Sequence, residues 1–130
     1  MTRIPTESRD LLEKAIYYPM LIKVLERDLQ AIDAGVFKLP KPYRFWIEKA
    51  LEAVHGELYA VKRQLKEQGM KVEKVGGDQL FTTYLFVFRG YTEFHNYFNP
   101  RLRNKVEELL AYFLYGRFAG IHSKEPEAKR

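Results

Sequence analysis

The sequence predicts a mainly α domain of the α+β kind, and three observations carry that prediction. Two long stretches, about 8–34 and 42–68, repeat their apolar residues every four and three positions. A run of β-branched and aromatic residues over 81–88 follows the turn signal Gly76-Gly77-Asp78. Asn99-Pro100 then opens a further stretch with the chemistry of a helix start. In 130 residues these elements must share one core, expected over 1–122, with a flexible tail over 123–130.

In the first stretch Leu11, Ala15, Tyr18, Ile22, Leu25, Leu29 and Ile32 form the stripe, and Gly35 supplies the stop. Pro19 lies inside it and removes the bond to the Ala15 carbonyl. Because the stripe keeps its phase across the proline, one kinked helix is expected rather than two. Pro40 and Pro42 then predict a stiff connector over 36–42, with the second helix beginning near Pro42. Its stripe is Ile47, Leu51, Val54, Leu58, Val61 and Leu65, ended by Gly69, and the pair reads as an antiparallel helical hairpin.

Two templates compete for Met70 to Phe98. Alternation over 71–75 and the run after the glycine turn predict a β-hairpin, about 71–75 with 80–89, followed by a helical turn. Yet Leu80, Tyr84, Val87, Tyr91, Phe94 and Phe98 also fall four and three apart. That alternative is an all-α four-helix bundle with 79–98 as the third helix. Since a lone hairpin is marginal in water, its apolar face must pack on the helices or pair with another chain. The last helix, about 100–118, carries Leu102, Val106, Leu109 and Phe113 in phase.

The chain has no cysteine, which excludes disulfides, thiolate metal sites and a cysteine nucleophile. The N-terminus lacks an apolar signal core and no stretch is long and apolar enough to span a bilayer, so a cytoplasmic protein without membrane association is expected. The net charge of +5 concentrates in 37–70 and 99–130, each with seven basic and four acidic residues. No serine or glycine motif of nucleophilic catalysis or phosphate binding is present, and no cofactor is expected. Glu52 and His55 have the spacing of two metal ligands on one helical face, but di-iron bundles need that pair twice and here it occurs once, so no metal is expected.

Two features point to binding rather than catalysis. Arg101, Arg103 and Lys105 crowd the positive end of the last helix, where stability alone favours acids. With Arg89 they form the candidate contact for an anionic group or partner. Aromatic residues make up 15% of the chain, more than so small a core can hide, and many adjoin cations. Tyr43, Phe45, Trp46, Tyr91, Tyr112 and Tyr115 are the candidate interface rings. The expected function is therefore a non-enzymatic interaction or regulatory protein that self-associates, as a dimer, and contacts an anionic partner. The alternative is a small nucleic-acid-binding protein whose basic patch joins Lys62, Arg63 and Lys66 to Arg101, Arg103 and Lys105 beside interleaved aromatics.

Overall fold

Pro40, expected in the connector, instead opens the second helix, two residues before the predicted start at Pro42, which stands in the first turn as expected. In the computed structural model, which describes residues 3–122 and the side chains of 3–116, α1 spans Thr6–Asp33 and α2 spans Pro40–Glu67. Both prolines occupy the first turn of α2, where a missing N–H costs nothing because no carbonyl precedes it in the helix. The connector is shorter than predicted, and Arg44 near the start of α2 clamps its ends by pairing with Asp33 of α1 and, at 3.1 Å, with Glu48. α1 runs through Pro19 as one helix. The expected loose tail from Ser123 lies outside the described residues.

The predicted stripe of α2 is the buried one: Ile47, Val54, Leu58, Val61 and Leu65 are all inside, with Ala50 beside them. In α1 only Tyr18, Ile22, Leu25 and Ile32 of the predicted stripe are fully buried, Leu11, Ala15 and Leu29 are half-buried, and Leu12, Ile16, Tyr17 and Leu21 are buried beside them. The reason is that α1 packs against α2 and also against the sheet and the last helix, so two arcs of its surface are covered.

A three-stranded antiparallel meander follows: β1, Met70–Gly77; β2, Phe81–Phe88; and β3, Tyr91–Phe98. The fold is therefore α+β, and the all-α alternative is excluded. The helical turn expected after the hairpin is instead a third strand. Along β3 the residues alternate, Tyr91, Glu93, His95 and Tyr97 half-buried, Thr92, Phe94, Asn96 and Phe98 exposed. The four-and-three spacing in this stretch is accidental. What decides against it is a two-residue turn, Arg89 at φ 51° and Gly90 at φ 86°, which folds β3 straight back on β2 with Phe88 opposite Tyr91.

At the opposite end of the sheet Gly77 approaches β2 so closely that a Cβ would stand 2.9 Å from the Phe81 carbonyl oxygen. Asp78 Oδ1 accepts the Leu80 and Phe81 amides, each at 2.8 Å, and these bonds hold its carboxyl below its ordinary range. Asn99, expected as a helix cap, spends its side chain on this turn: its Nδ2 donates to the Asp78 and Gln79 carbonyls and its Oδ1 accepts Thr82 Oγ1 at 2.7 Å.

One face of the sheet lies on the helices. Phe86 at its centre is completely buried, flanked by Met70, Val72, Tyr84, Phe88 and Tyr97. The last helix, α3, spans Asn99–His122 and returns over α1 and α2, burying Leu102, Val106 and Phe113 as their spacing predicts. Phe113 meets Tyr18 of α1 edge-on at 6.0 Å. No helix of the described residues is long and apolar enough to cross a membrane.

Candidate interaction surface

Alternation gives every strand of a single sheet two faces, and here only one is covered by helices. The other carries Phe81, Thr83, Leu85 and Val87 from β2 and Thr92, Phe94, Asn96 and Phe98 from β3. Phe94 is 71% exposed, and Phe81 and Phe98 about as much as 42% and 41%. The Phe81 and Phe98 rings contact each other at 5.4 Å across the β2–β3 pair. None of these eight side chains is charged; Lys71 and Glu73, paired at 3.2 Å, confine charge to β1. The result is an uncharged patch, apolar at five of its eight positions and bounded by one ion pair, of the kind soluble monomers rarely leave uncovered.

Beneath β3, on the opposite face, lies a groove of about 630 Å³ between α1, β3 and α3. Arg9, Glu13 and Tyr17 come from α1, His95 and Tyr97 from β3, and Arg101, Lys105 and Glu108 from α3. Tyr97 donates to Glu13 Oε2 at 2.7 Å, so burial and this carboxylate hold its phenol well above the ordinary value. Tyr17 is pushed up to about 12, first by burial and then by Glu13, with Arg101 pulling the other way. His95 stacks on Phe86 at 4.4 Å, and its Nε2 lies 2.8 Å from Glu93 Oε1. Glu93 Oε2 also accepts the Arg3 amide at 3.0 Å, and the Arg3 guanidinium lies over the Tyr91 ring. Glu13 accepts Tyr97 and Glu108 pairs with Lys105 at 3.6 Å, so Arg9 and Arg101 are the cations that suit the rim of this polar cleft to an anionic group.

The predicted site residues divide between these regions. Arg101 and Lys105 reach the groove and are joined there by Arg9, which the sequence did not single out. Arg103 is exposed and is not among the residues lining that groove. Arg89 sits at the far end of the sheet, its Nε donating to the Gln68 carbonyl at 3.4 Å, so it does not join the other cations. Lys62, Arg63 and Lys66 are at that same far end, separated from α3's start by the length of the strands, roughly 25 Å at about 3.3 Å per residue.

Of the candidate rings, Tyr112 and Tyr115 are exposed on α3, and Phe45 is exposed under Lys49 on α2. Tyr43 packs on Phe37 at 5.0 Å beside the α1–α2 connector. Trp46 and Tyr91 serve the fold: Trp46 Nε1 donates to the Leu114 carbonyl at 3.3 Å, and Tyr91 packs on the core. Glu52 and His55 are exposed on α2, Glu52 pairing with Lys49 at 3.6 Å. Among the described residues no three potential ligands gather for a metal. The rings that sequence reasoning missed are Phe81, Phe94 and Phe98. The period-two alternation of 91–98 was their signal, hidden by an equally regular period near 3.6.

Comparison with known proteins finds a family described as YhjD protein matching residues 3–118. A curated protein of Bacillus subtilis (strain 168), called uncharacterized protein YhjD, is 38% identical over 115 residues, covering 88% of this chain and 96% of that protein. No solved structure matches.

Proposed function

We propose, from the premise that the chain belongs to the YhjD family, that it works as a non-enzymatic interaction protein: it self-associates through its sheet and takes an anionic group of a partner in the groove beside it. The observation that carries the reading is the uncovered face around Phe94, apolar and without charge over two strands. A second copy brings the same uncharged face, so the chain's net positive charge is kept out of the contact. Arg9 and Arg101 at the rim of the groove, beside the Lys105–Glu108 pair, support the anionic contact. Nucleic-acid binding has less support, because the two basic clusters it would combine lie at opposite ends of the sheet.

The test is sedimentation across a concentration series. The expected species has twice the 15.4 kDa chain mass, and Phe94→Asp returns it to the monomer while the helical content stays. Added salt is expected to leave the dimer almost unchanged, whereas binding to nucleic acid would weaken steeply. A wild-type protein that stays monomeric at high micromolar concentration overturns the reading.

A further inference from the structure

Resting on that self-association, we infer how the copies join: β3 pairs antiparallel with β3 of a second copy about a two-fold axis at Phe94, fusing two three-stranded sheets into one of six strands. The register of the sheet identifies the groups involved. The Asn99 amide donates to the Leu80 carbonyl at 2.7 Å, which makes that pair a hydrogen-bonded one. Bonded pairs recur at every second residue of an antiparallel ladder, so Tyr91, Glu93, His95 and Tyr97 bond to β2. Thr92, Phe94, Asn96 and Phe98 therefore turn their N–H and C=O groups to the outer edge, where no backbone group of the described residues meets them.

This edge lacks the commonest devices that prevent strand pairing, and its one inward-pointing acid, Glu93, is already bonded to the Arg3 amide and to His95. Tyr91–Phe98 contains no proline, glycine or lysine, and its pairing with β2 is free of bulges. A two-fold at Phe94 places Phe94 opposite its own copy and Thr92 opposite Asn96, which matches outward N–H and C=O groups throughout. On the other face the same axis sets Glu93 opposite the second copy's His95, so a carboxylate meets an imidazole as the two already meet within the strand at 2.8 Å. A shift of the axis by one residue, to His95, would oppose His95 to His95 and lose that match. The two Phe94 rings, the most exposed of the outer face, then lie adjacent across the junction and shelter each other.

Amide hydrogen exchange on the wild-type protein, followed as concentration rises, reads the junction directly. The amides of Thr92, Phe94 and Asn96 are expected to gain protection only as the dimer forms, while Glu93 and His95 are protected at every concentration. Asn96→Pro removes one outward N–H per copy without touching the ladder to β2, and is expected to weaken the dimer roughly tenfold or more, since two bonds are lost across the axis. Asn96→Ala keeps the amide and is expected to dimerise like the wild type. A dimer whose Thr92, Phe94 and Asn96 amides remain unprotected overturns the strand pairing but leaves self-association standing, through the sheet face alone. A monomer at all concentrations overturns both. If Asn96→Pro fails to fold, the wild-type exchange pattern still decides.

Discussion

β1 and β3 are the two edges of the same sheet and have the same length, eight residues each, yet their edges are managed in opposite ways. β1 breaks its register between Lys74 and Gly76, ends in two glycines and carries Lys71 and Lys74. A bulge, a weak strand end and lysines are the common means of making an edge unattractive to another chain. β3 has no bulge, glycine or lysine, and four of its side chains project uncharged from the open face. The core sides differ too: Met70 and Val72 of β1 lie in apolar packing, while Glu93, His95 and Tyr97 of β3 face polar and titratable groups. One edge thus has apolar packing beneath it, the other polar groups. Under the proposed pairing the sheet would grow at β3 and not at β1.

Four measurements can break or sharpen this contrast. The largest effect belongs to Phe86, the buried side chain of the strand both edges share. Phe86→Ala is expected to lower stability by about 3–5 kcal/mol in chemical denaturation. Exchange protection should then fall in β1 and β3 together, and a loss confined to one of them would show that the two edges do not rest on a common platform. Gly77→Ala comes next, because the new Cβ must displace backbone at 2.9 Å and 3.1 Å. A loss of about 1–3 kcal/mol is expected, and an unchanged midpoint would mean the closed end of β1 is looser than its geometry.

Alkaline melting separates the two undersides. Tyr17 holds its proton up to about 12 against an ordinary 10.0, so its contribution is whole below pH 10 and is lost as pH rises through its folded value. Melting temperature should therefore fall between these values, and Tyr17→Phe should flatten the fall; an identical slope in the variant would remove Tyr17 from the account. The smallest change in stability is expected for Lys71→Thr combined with Lys74→Thr, within about 0.5 kcal/mol as for ordinary surface sites. The readout that matters there is mass. Association beyond a dimer is expected once β1 loses its lysines, and an unaltered sedimentation profile would leave the bulge and glycines as its sufficient protection.

The helical hairpin and the last helix were legible because their signals are local and repeated. Val54, Leu58, Val61 and Leu65 can lie on one line only if the backbone is helical, and Leu102, Val106 and Phe113 repeat that logic. The strand β3 was not legible. Tyr91 to Phe98 satisfies a period of two and a period near 3.6 at once, and the choice between them is made by Arg89-Gly90 turning the chain back onto β2. The site followed the same division. Arg101 and Lys105 could be suspected from a helix start that breaks the usual charge preference, but Arg9 could not, since it lies 92 residues earlier and arrives only through the packing of α1 beside α3.

By itself the sequence determined where the helical hairpin and the last helix lie, most of what α2 and α3 bury, and how rich in aromatic rings the chain is. It could do so because periodicity and turn chemistry act over a few residues. Only the tertiary structure decided that Trp46 and Tyr91 turn inward, that Phe81, Phe94 and Phe98 share an open face, and that Arg89 stands apart from Arg101. Those outcomes depend on which strand lies beside which and which face the helices cover, and pairing between distant segments leaves no period in the chain to read.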